Sequence, residues 1–62
     1  MNGTIIIRDT GGGVYTLENK SHELFMEYRR LLQDCQDLLV VKPNVHWSLN
    51  HRHILLIEWR AD

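Results

Sequence analysis

From residue 22 to residue 39, apolar side chains recur at helical spacing. Leu24, Tyr28, Leu31, Cys35 and Leu38 follow one another at alternating steps of four and three, and Phe25, Leu32 and Leu39 widen the row into a broad stripe. The spacing predicts an amphipathic helix that ends near Leu38, with Ser21 as N-cap and Glu23 at the positive end of its dipole. Pro43 bars any continuation.

The flanking segments repeat at shorter period. Thr4–Arg8 is β-branched and short, and Val14–Glu18 alternates, so both read as strands. Asp9, Thr10 and the glycines Gly11, Gly12 and Gly13 between them suit a hairpin turn. Beyond the helix, Val45–Leu49 alternates as a third strand, and His53–Arg60 forms the fourth and longest, after a turn at Asn50–His51 or Asn50–Arg52. The order β-β-α-β-β predicts an α+β fold: one domain over residues 1–62, with a four-stranded, mainly antiparallel sheet and one helix packed on one face. The expected core is Ile5, Ile7, Val14, Leu17, Leu24, Tyr28, Leu31, Leu32, Cys35, Leu38, Val45, Trp47, Leu55 and Ile57.

The last strand departs from simple alternation. Ile54, Leu55, Leu56 and Ile57 are all apolar, so both of its faces carry apolar side chains. One helix covers one face of a sheet, and the other face is left with Ile54 and Leu56 or with Leu55 and Ile57. A two-residue turn sets Trp47 opposite Ile54 and a three-residue turn sets it opposite Leu55; one residue of slip exchanges the faces.

Size and charge narrow the function classes. A chain of 62 residues buries only about 60% of its unfolded surface, and small domains commonly gain stability by oligomerising or binding metal. Cys35 is the single cysteine, so no internal disulfide forms, and a reducing, cytoplasmic setting is expected. The formal charge is −1, from 7 basic and 8 acidic residues, which gives no global basic field. No apolar run approaches the roughly 18 residues of a membrane span.

Candidate chemistry is sparse. His46, His51 and His53 cluster near the last turn, but their spacing lacks the paired ligands of zinc knuckles, and no metal or other cofactor is expected. Cys35 with His46 is the only nucleophile–base pair to consider, and it sits on the apolar stripe, so no enzymatic activity is expected. The glycine run lacks the Lys-Ser/Thr and the following helix of a phosphate loop.

Two surfaces remain. Ile54, Leu56 and Glu58 on the last strand form an expected protein-binding or dimer face. Met26, Glu27, Arg30, Asp34 and Asp37 form a mostly acidic helix face for a partner. The expectation is a small non-enzymatic protein-binding module, a homodimer that also meets an unidentified protein partner. A chain beginning at Met1 without a catalytic set suits a stand-alone regulator or inhibitor, as many small proteins of viruses and mobile elements are. The competing expectation is a nucleic-acid binder using Arg8, Lys42, Arg52 and Arg60 with Trp47, Trp59 and Tyr15 on the sheet face. It is not favoured, because Glu23, Glu27, Asp34 and Asp37 break any continuous positive footprint.

Overall fold

The computed structural model describes residues 2–42 and 45–62, with side chains for 2–40 and 48–62. Strands β1 (Asn2–Asp9) and β2 (Val14–Ser21) lead into helix α1 (His22–Gln33). Strands β3 (Leu38–Lys42) and β4 (Val45–Leu49) follow, then a 3₁₀ turn at His51–His53 and strand β5 (Ile54–Ala61). The class is α+β, with one helix and antiparallel pairings throughout.

The strands form two sheets where the sequence predicts one of four strands. β2, β1 and β5 make a three-stranded sheet in that order, and among the described residues β3 pairs only with β4. The expected hairpin between the last two strands does not form among the described residues: Trp47 lies opposite Val40, and β5 pairs with β1, setting Ile57 opposite Ile7 and Trp59 opposite Ile5. The short apolar run Leu38–Val41 accounts for the difference. Leu38 continues the helical stripe, yet it equally begins a strand in which Leu38 and Val40 point inward and Leu39 outward.

Helix α1 starts where the sequence predicts. The Ser21 hydroxyl accepts from the Leu24 amide at 3.2 Å. It stops well before Leu38, at Gln33. Cys35 takes a left-handed backbone (φ 57), its amide donates to the Leu32 carbonyl at 3.1 Å, and the Gln36 amide donates to the Leu31 carbonyl at 2.8 Å. These paired bonds are a Schellman closure, built here on a cysteine where glycine is usual.

The core lies between the three-stranded sheet and a layer made of α1 and β3. Ile5, Ile7, Leu17, Phe25, Tyr28, Leu38 and Val40 are buried in one cluster, and Leu24, Leu31, Leu32, Ile54, Ile57 and Trp59 pack around it. Three expected core residues are exposed: Val14, Cys35 and Leu55. Cys35 leaves the core because the helix has already turned. Val14 sits opposite Arg8 on the outer sheet face, and Leu55 is the extra residue of a bulge in β5. Val45 and Trp47, also expected in the core, have side chains outside the described set.

Asp9 organises the first hairpin. Its Oδ1 accepts from the Gly11 amide at 2.9 Å and the Gly13 amide at 2.6 Å, and its Oδ2 accepts from the Tyr15 hydroxyl at 3.3 Å. Gly12 supplies the positive φ of 89° that the turn requires.

Candidate functional site

β5 is an edge strand. It bonds to β1 along one side, and among the described residues no strand pairs with the other. The ladder parity is set by two hydrogen bonds at its ends: Asp62 N–H donates to the Asn2 carbonyl and Thr10 N–H to the His53 carbonyl. Antiparallel pairs alternate, so Leu56, Glu58 and Arg60 turn their backbone groups toward β1. Ile57, Trp59 and Ala61 turn theirs outward, to the free side.

A groove of about 770 Å³ runs along this edge. Phe25, Arg29 and Leu32 of α1 form one wall and Ile54–Trp59 the other, with His51 at one end. Leu55 and Leu56, 69% and 47% exposed, are two of the large apolar side chains that stand in solvent. Arg29 lies over the Phe25 ring at 5.8 Å, setting a cation on the groove wall. Trp59 leans the other way. Its indole packs against His22 and Phe25, with ring centroids 5.1 and 6.0 Å away, and covers Gly3 on β1. The free edge is therefore not roofed by its own tryptophan.

The three residues assigned to a dimer face do not share one face. The bulge at Leu55 turns Ile54 inward against the core, while Leu56 and Glu58 stay on the outer face. That outer face is more polar than the sequence implies. Thr4, Arg8, Thr16, Glu58 and Arg60 lie on it, Ile6 is 8% exposed between its neighbours, and Val14 and Leu56 are the exposed large apolar residues that the described strand register places there. Arg8 Nε and Glu58 Oε1 pair at 2.9 Å, with both side chains close to half exposed.

The residues assigned to the helix face are partly committed elsewhere. Glu27 and Arg30 approach at 3.8 Å on the surface, and Met26 stands exposed beside them. Asp34 caps the helix, its amide donating to the carbonyls of Arg30 and Leu31 at 3.1 Å. Asp37 fastens two loops together: its Oδ1 accepts from the His51 amide at 3.1 Å and lies 3.1 Å from His51 Nδ1. The amide bond, and then the bond to the ring, hold the Asp37 carboxyl below its ordinary range. Tyr28 is shifted the other way, because burial raises its hydroxyl pKa and the nearby Glu27 adds to that effect; its O–H donates to the Leu39 carbonyl at 3.1 Å.

The basic residues are scattered. Arg8 and Arg60 share the outer sheet face with Glu58 between them, and Arg52 sits on the 3₁₀ turn. Tyr15 and Trp59 pack on the helix side, so neither offers a stacking platform on the outer face. The side chains of Lys42, His46 and Trp47 lie outside the described set. Among the described residues, no three His, Cys, Asp or Glu side chains converge on a common point, and no helix is long and apolar enough to cross a membrane.

Sequence reasoning missed the β5 edge because it paired that strand with β4. The signal was present in the length and apolar character of the last strand, but not the identity of its neighbour. Comparison with protein-family models, curated proteins and solved structures finds no match for this chain.

Proposed function

We propose that this chain is a small non-enzymatic protein-binding module that self-associates, acting as a cytoplasmic regulator or inhibitor. One observation carries the reading: among the described residues no strand pairs with the outer side of β5, and that edge borders a groove of mixed polar and apolar lining with Leu55 and Leu56 exposed along it. Unsatisfied strand edges are templates for pairing with another chain, and a domain this small gains stability from such pairing. Apolar sheet-on-sheet packing is less well supported, because Arg8, Glu58 and Arg60 occupy the outer face. An exposed thiol at Cys35 suits a reducing compartment.

The test is solution mass by light scattering over a wide concentration range. A mass that rises from one chain to two supports the module as self-associating. A single-chain mass at every concentration removes self-association from the proposal and leaves the β5 groove as a site for other proteins. Nucleic-acid binding is the outcome to check beside it: salt-sensitive binding of an oligonucleotide, lost on Arg52→Ala or Arg60→Ala, would replace the present reading.

A further inference from the structure

The free side of β5 has a sequence that complements itself. We infer that two copies of this chain pair antiparallel along β5, in the register that sets Trp59 opposite Trp59 of the second copy and joins two three-stranded sheets into one. The inference rests on the self-association proposed above and specifies where it occurs.

The argument begins with symmetry. A twofold axis normal to the sheet pairs residues of like parity, so each register is defined by the residue on the axis. With Glu58 on the axis, two carboxylates face each other; with Arg60 there, two guanidinium groups do. Like charges directly opposite are unfavourable. With Ile57 on the axis, the ladder runs into the Leu55 bulge at both ends, and Glu58 faces Leu56 of the second copy. With Trp59 on the axis, Glu58 faces Arg60 of the second copy twice over, and the bulge falls outside the paired stretch.

Backbone geometry agrees with that register. Ile57, Trp59 and Ala61 are the residues whose amides and carbonyls point to the free side, and about six main-chain hydrogen bonds would join the copies through them. Arg8 already holds Glu58 at 2.9 Å, so each pair with the second copy extends an existing link into an Arg–Glu–Arg chain across the seam. On the inner face, Trp59 leans back over Gly3, and the groove beside Phe25 and Leu32 leaves room for the apolar side of the neighbouring strand.

Charge exchange tests the register. In Glu58→Arg, two arginines face each other across the axis; in Arg60→Glu, two glutamates do. Each variant alone is expected to dimerise at least tenfold more weakly than the wild type. An equimolar mixture of the two restores opposite charges at both pairs, and its dimer is expected to regain wild-type strength. Circular dichroism establishes that each variant is folded. Backbone amide exchange by NMR gives an independent readout that needs no substitution: the Ile57, Trp59 and Ala61 amides, which have no partner among the described residues, become protected as concentration rises.

The outcomes separate cleanly. A wild-type protein that stays monomeric overturns self-association itself. A dimer that ignores both charge reversals, or one in which those three amides exchange freely, overturns this register and leaves self-association standing. Weakening in each variant without recovery in the mixture also overturns the register.

Discussion

Along β2, the outer edge of the three-stranded sheet is interrupted. Asn19 adopts a left-handed backbone (φ 56), the register slips between Gly3 and Ile5, and the exposed positions carry Thr16, Glu18 and Asn19. Along β5, at the opposite edge, the bulge at Leu55 lies near the start, and the strand then runs regularly through Trp59 to Ala61. Bulges and polar side chains are the usual means by which proteins discourage edge pairing; on β2 the irregularity falls within the paired strand, whereas on β5 it falls near the start and leaves Leu56–Ala61 in one register. The layers above the two edges differ as well. Beside β2, α1 and β3 close together, with the Tyr28 hydroxyl bonded to the Leu39 carbonyl. Beside β5, α1 packs on Trp59 through His22 and Phe25, and the groove lies between Phe25, Arg29 and Leu32 and the strand. The flanks differ in degree: a pocket of about 330 Å³ remains between β2, α1 and β3, against about 770 Å³ along β5.

Gly3→Ala should give the largest change on the β5 flank. A Cβ at that position meets the Trp59 ring at 2.6 Å and also the Arg60 carbonyl oxygen, so the indole and strand must both shift. Overpacking of this kind typically costs about 1–3 kcal/mol, measurable as a lower urea midpoint. The displaced tryptophan should also change fluorescence. An unchanged midpoint would mean that Trp59 is not seated against β1.

Tyr28→Phe probes the β2 flank, where the buried hydroxyl ties α1 to β3. Losing that bond should cost about 1 kcal/mol and leave the β5 groove intact. The same hydroxyl gives the protein an alkaline signature. Its pKa is raised in the folded state, so stability is complete below the ordinary value of 10.0 and falls as pH rises beyond it. The phenylalanine variant should lose less stability over that range.

Cys35→Gly should move stability the other way. The left-handed backbone at this position costs a residue with a Cβ about 1 kcal/mol, and glycine removes most of that cost. A higher thermal midpoint for the glycine variant is expected. A lower one would show that the cysteine side chain makes a contact worth more than its backbone strain.

The smallest effect concerns the loop bond between Asp37 and His51. The depressed carboxyl pKa means that this contribution is complete above 3.8 and is lost as pH falls through the lower folded value. Asp37→Asn should flatten the acid limb of the stability curve slightly. Identical acid limbs would show that the bond adds no measurable stability in solution.

Much of the fold was legible in advance because it depends on local chemistry. Ser21 caps the helix and the glycine run turns the first hairpin. Thr4–Arg8 and Val14–Glu18 lie within strands of the structure, as do Ile54–Arg60 of the expected last strand, whose first residue His53 ends the 3₁₀ turn instead. The errors cluster in residues 34–42. There the helical and extended periods coincide at Leu38, and nothing local shows that Cys35 will accept a left-handed turn. The proposed site was only half legible. Leu56 and Glu58 were recognised as surface residues of the last strand, whereas Phe25, Arg29 and Leu32 join the groove from an element distant in sequence.

The sequence by itself determined the α+β class, the start of the helix and the apolar character of the last strand, because caps, turns and side-chain period act over a few residues. Tertiary structure decided which strands pair, which face Ile54 joins and which edge is left open. Those outcomes depend on contacts between distant segments: β5 reaches β1 across nearly the whole chain, and the bulge at Leu55 reverses the side-chain alternation that a local reading assumes.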